Sequence, residues 1–126
     1  MSGAVGSGLV AVTIVPKPWG HETIWAHTDR YVGKILHIKK GHALSLQYHR
    51  HKDETIYLFS GRMRFEHFRD GETPQITELE PGQAFRIEPG LRHRMVAIED
   101  CDVLEASTPE LDDVVRLEDR YGRTGG

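Results

Sequence analysis

Gly41-His-Ala-Leu-Ser-Leu-Gln-Tyr-His-Arg-His-Lys-Asp-Glu-Thr-Ile-Tyr-Leu-Phe-Ser-Gly61 is the stretch from which the rest of the chain can be read. From Leu44 to Arg50 apolar and polar residues alternate, the pattern of a half-buried strand. Successive strand side chains face opposite ways, so Gln47, His49 and His51 share one face, and Leu46, Tyr48 and Arg50 share the other. The first face then carries three donors suited to a metal ion. Glu54 joins them if the chain turns at residues 51–53 and a new strand starts at Thr55. Imidazole, amide oxygen and carboxylate together suit a divalent ion of borderline hardness.

Turn signals punctuate the rest of the chain. Pro18 and Gly20 break an apolar first segment, Leu9 to Val15, from a strand over 21–26, and a further strand runs from Tyr31 to Lys39. In that strand Ile35 and His37 share one face, and Lys34, Leu36 and Ile38 the other. Gly61 predicts a hairpin between strands 55–59 and 62–68, and Asp70-Gly71, Pro81-Gly82 and Pro89-Gly90 separate strands at 75–79, 84–87 and from His93 onward. A last strand covers 103–107. Many short strands between closely spaced turns predict an all-β antiparallel barrel of the jelly-roll kind. Apolar residues at 111, 114, 115 and 117 predict one short C-terminal helix over 111–118. Residues 1–8, rich in Gly and Ser, are expected to be a flexible start to one domain over 9–126.

At 126 residues the chain is long enough for one core. Its net charge of −3, with no basic stripe, argues against nucleic acid as a partner. One cysteine, Cys101, rules out an internal disulfide and a Cys-rich zinc site and fits a reducing compartment, so a cytoplasmic protein is expected. The run Leu9–Val15 is too short to span a membrane and lacks preceding positive charge, so neither signal peptide nor anchor is expected.

The spacing of the opening stretch resembles the first motif of the cupins: Gly41, five residues, Gln47, one residue, His49, four residues, Glu54, six residues, Gly61. Gln47 stands where most cupins carry a first histidine. A second cupin-like motif is Gly82, Pro89-Gly90 and His93, its proline displaced by one position and Ala97 in place of the usual asparagine. Within the cupins, four stretches resemble the isomerase domain of type II phosphomannose isomerases, also found at the end of bifunctional mannose-1-phosphate guanylyltransferases. These are 17–20, 44–49 with Glu54, 89–93, and the tail 112–123 ending Tyr121-Gly122-Arg123. The resemblance implies that Gln47, His49, Glu54 and His93 hold one divalent metal ion, zinc first, then manganese, iron, cobalt or nickel. It implies mannose 6-phosphate isomerisation with a sugar phosphate as partner. Lys52 stands where the family usually has arginine, and Ile56 where it usually has tryptophan. Nothing in the chain resembles the nucleotidyltransferase domain, so guanylyl transfer is not expected of it.

Aldose–ketose isomerisation moves a proton between two carbons through an enediolate, whose negative charge a divalent ion stabilises. A base must reach the carbon-bound proton. His51, on the ligand face, is the first candidate, and Glu105 on the last strand the second. Lys52, at the position of the family arginine, completes the candidate catalytic group with Arg123, favoured as a phosphate anchor by its place in the tail. Two other functions compete: a non-catalytic cupin that binds a sugar or anion, favoured by Lys52 and Ile56, and a metal-dependent dioxygenase, disfavoured by Gln47. The apolar first segment is an edge suited to pairing two subunits, so a homodimer is expected.

Overall fold

A computed structural model describes residues 6–69, 71 and 73–125. Eleven strands run in chain order: β1 Thr13–Lys17, β2 Gly20–His27, β3 Val32–Ile38, β4 Leu46–Tyr48, β5 Glu54–Ser60, β6 Met63–Phe68, β7 Gln75–Leu79, β8 Ala84–Ile87, β9 Arg92–Ala97, β10 Cys101–Ser107 and β11 Val115–Glu118. They form a six-stranded sheet, β1-β2-β3-β10-β5-β8, and a five-stranded sheet, β11-β4-β9-β6-β7. Alternation decides which residues meet between the sheets. Leu36 and Ile38 of β3, Ile56 and Leu58 of β5, Met63 and Phe65 of β6, and Met95 of β9 are all buried there. A buried side chain of this kind contributes roughly 1.5–3 kcal/mol. Trp19, 2% exposed, belongs to the same core.

The all-β expectation agrees with these sheets, but two parts of the expected architecture are overturned. The strands form two separate sheets in place of a closed barrel. No helix occurs among the described residues, and the segment expected to be a short C-terminal helix holds β11 instead, with Val115 opposite Tyr48 and Arg116 opposite Gln47. The physical reason is local. A helix of two turns is unstable by itself in water, whereas the outer edge of β4 presents backbone groups that β11 satisfies.

Three boundaries also differ from the sequence reading. Strand β1 begins at Thr13, and Leu9 to Val12 lie exposed outside any strand. Pairing with β2 stops at Thr13 opposite Ile24, because the β2–β3 ladder bulges between Ile24 and Ala26. Strand β4 is shorter than the expected 44–50 and ends at Tyr48. The expected flexible start lies outside the described residues over 1–5, as does Asp70 of the expected turn, while residues 6–8 are exposed. No helix of the described chain is long and apolar enough to cross a membrane.

The hairpin expected at Gly61 is not one. Strands β5 and β6 belong to different sheets, and Gly61 carries the chain across. The crossing from β9 to β10 runs beside it, with the N–H of Ile98 donating to the Arg62 carbonyl at 2.9 Å. Gly61 has φ of +94°, and a Cβ there would run into the Asp100 carbonyl oxygen. Gly61→Ala is therefore expected to cost about 2 kcal/mol or more, read as a lowered denaturant midpoint with an unchanged slope.

Candidate metal centre

Both sheets contribute to the site. Gln47 lies on β4 and His49 just beyond its end, His93 is on β9 and directly opposite Gln47, and Glu54 opens β5 in the other sheet. His49, Glu54 and His93 are 2%, 3% and 1% exposed, and their nearest donor atoms lie within 4.8 Å of one another.

Hydrogen bonds settle which nitrogens face inward. His49 Nδ1 donates to the Asp113 carbonyl at 2.6 Å and His93 Nδ1 to the Leu91 carbonyl at 2.9 Å. A carbonyl only accepts, so each Nδ1 carries a proton and each Nε2 is turned toward the other members of the cluster. Both Nε2 atoms and Glu54 Oε2 are buried without a hydrogen-bond partner, although His49 Nε2 stands 2.7 Å from Glu54 Oε2. Two buried imidazole nitrogens and a buried carboxylate oxygen thus converge on one point. Two imidazoles oriented by carbonyls and one carboxylate are a donor set suited to a divalent metal. The Gln47 amide oxygen accepts from Ser45 Oγ at 2.5 Å, which leaves it a second lone pair.

Beside His49 and Glu54 lies a cavity of about 200 Å³ whose wall also includes Gln47, Lys52, Glu105 and Arg116. Lys52 is buried, with Nζ 3.4 Å from both Glu54 Oε2 and Glu105 Oε2. Burial alone lowers the Lys52 pKa, but Glu105 and Glu54 outweigh it and hold the ammonium charged. Burial opposes ionisation of Glu54, yet His49 and Lys52 together hold that carboxyl well below its ordinary range. Glu105 is pushed up by burial and by the Glu54 charge, against Lys52 and Lys34. Burial depresses His93 to about 4, so it is neutral at pH 7.

The remaining residues proposed from sequence are distributed unevenly. Glu105 and Lys52 lie beside the triad. His51 is exposed and does not line the cavity, because β4 has ended at Tyr48 and strand alternation no longer applies. Arg123 lines the cavity, but its guanidinium is bound to Asp119 at 3.1 Å. Arg116 lines it as well and makes no side-chain hydrogen bond or ion pair among the described residues. The sequence reading missed Ser45, Asp113 and the pair Lys34–Glu22, which meets at 3.3 Å on the cavity wall. The placement of Lys34 on the face of Leu36 and Ile38 was the one signal for that pair.

Lys52→Met would leave Glu54 and Glu105 facing one another in a buried space. The metal-free variant is expected to lose about 3–5 kcal/mol, and saturating zinc to recover part of that loss. An unchanged urea midpoint would show that Lys52 does not compensate the two carboxylates.

Residues 34–106 match the cupin domain family, and the chain belongs to it. Among its relatives are the xanthan biosynthesis protein XanB of Xanthomonas campestris pv. campestris (strain B100), 35% identical over 115 residues, and the mannose-1-phosphate guanylyltransferase ManC of Salmonella typhimurium (strain LT2), 33% identical over 114. The matches cover 87% and 86% of this chain but only 24% and 23% of those proteins, so the chain spans about a quarter of their length. Among solved structures it resembles KdgF from Halomonas sp., with TM-score 0.66 and 26% identity over 82% of this chain and 91% of that one. Oxalate decarboxylase from Bacillus subtilis shares the fold, with TM-score 0.75 and 15% identity over 90% of this chain and 33% of that one.

Proposed function

We propose that this cupin is a metal-dependent aldose–ketose isomerase acting on a sugar phosphate of the mannose 6-phosphate type. The observation that carries the reading is a buried carboxylate, Glu105, which is not needed as a ligand and lines the same cavity as Gln47, His49 and Glu54. A divalent ion held by His49, Glu54 and His93, with Gln47 as a further donor, would supply Lewis-acid stabilisation of the oxygen that becomes negative. Glu105 would take the proton from C2 and return it at C1, while the hydroxyl proton of O2 passes to O1, so that the C1 carbonyl becomes a hydroxyl and C2 the ketone. Its raised pKa suits that exchange, since a base nearer neutrality transfers a proton in both directions. Lys52, 3.4 Å from Glu105, would fix the direction of that carboxylate and steady its charge. Exposed His51 has no part in this assignment.

Arg116 would receive the phosphate, because it lines the cavity and its guanidinium has no other partner among the described residues. Arg123, tied to Asp119, would order the tail beside it. The similarity to a mannose-1-phosphate guanylyltransferase supports a sugar phosphate as the ligand class. Cytoplasmic location and a homodimer remain part of the proposal, the latter supported by exposed Leu9, Val10, Val12 and Ile14 beside the free edge of β1. Zinc-loaded protein is expected to form ketose phosphate from mannose 6-phosphate. No turnover across a panel of hexose and pentose phosphates would remove the enzyme reading in favour of a sugar-binding cupin.

A further inference from the structure

We infer that Asp113 is a positioning residue through which the C-terminal strap, residues 109–125, is energetically coupled to the metal centre. The inference rests on the reading of His49, Glu54 and His93 as metal ligands. Asp113 offers no atom to the triad and does not line the cavity. Its carboxylate instead accepts three consecutive backbone N–H groups, from Arg50 at 3.0 Å, His51 at 2.7 Å and Lys52 at 2.9 Å. Successive N–H groups aimed at one anion form a nest, and here the anion is supplied by a distant part of the same chain. The carbonyl of the same residue takes His49 Nδ1–H.

The turn so held, 50–53, is the connection between His49 and Glu54. Its shape sets how far apart those two side chains stand and where Lys52 points. One residue of the strap therefore fixes both the tautomer of His49 and the turn that delivers Glu54. The strap has other attachments, including the pairing of β11 with β4, His42 Nδ1 to Tyr121 OH at 2.7 Å, and Arg120 to the Gly41 carbonyl at 2.9 Å. The pairing of β11 with β4 reaches Gln47, opposite Arg116, but none of these attachments touches His49 or Glu54, so the coupling to those two ligands runs through Asp113. Coupling between two sites is reciprocal: if a docked strap favours metal, metal favours a docked strap by the same factor.

The test uses the full chain and zinc alone, with affinity measured by competition against a chromophoric chelator and strap order by amide hydrogen exchange. Asp113→Ala is expected to bind zinc about 10–100-fold more weakly, the usual cost of losing an outer partner of a ligand. Asp113→Asn keeps one acceptor oxygen but turns an amide N–H toward the nest, and should fall between. In the wild type, zinc should slow exchange over 109–125 and over 50–52, and in His93→Ala it should not. Wild-type zinc affinity in folded Asp113→Ala would overturn the inference. If that variant does not fold, wild-type affinity in Asp113→Asn, or strap exchange in the wild type indifferent to zinc, would do so instead. A wild type that binds no zinc would sink the metal reading itself, a separate and visible outcome.

Discussion

At a divalent metal concentration about a hundredfold above Kd, the protein should gain about 2.7 kcal/mol, which for a chain of this length raises the melting temperature by about 10 °C. His49→Ala and His93→Ala should each melt alike with and without metal. The ligand nitrogens come from His49 and His93, well separated in the sequence, and meet only in the folded chain, so an ion held by both binds the native state and not the unfolded one. Each histidine is buried with its Nε2 lacking a partner, and its removal deletes one of the three converging acceptors. The metal-free variants should not be equally unstable, because His49 also fastens the strap through the Asp113 carbonyl. A melting shift retained in both variants would place the ion elsewhere.

The second large effect is expected from the two buried carboxylates. Glu105→Gln should lower kcat by about 10²–10⁴-fold, the range for loss of a general base, while KM and zinc affinity change little. A group used only in the transition state lowers kcat and kcat/KM together. Glu54→Gln should instead lose turnover and zinc binding together, because it removes the one anionic atom of the triad. The two substitutions are equal in size and charge change and lie on either side of Lys52, so their difference reports role and not general disruption. Glu105→Gln with full activity would return the base to another residue.

The sequence carried the triad more clearly than the frame around it. His49, Glu54 and His93 were legible because a ligand pattern is written in spacing, and spacing survives whatever the sheets do. His51 was placed on the ligand face by an alternation that holds only within a strand, and β4 ends three residues earlier. The turn at Gly61 signals a reversal but not which sheet receives the chain, so a crossing read as a hairpin. Leu111, Val114 and Val115 have a spacing compatible with one helical face, and only the open edge of β4 decides for a strand. Asp113 was invisible as a site residue, since its part is played by a backbone carbonyl and by N–H groups some sixty positions away.

The most direct measurement is proton NMR of mannose 6-phosphate in D₂O with zinc-loaded protein. Fructose 6-phosphate should appear, the C2 position of the aldose should take up deuterium, and a chelator should stop both. Zinc bound through His49 and His93 with neither ketose nor deuterium formed, on this substrate or on other hexose and pentose phosphates, would contradict the isomerase.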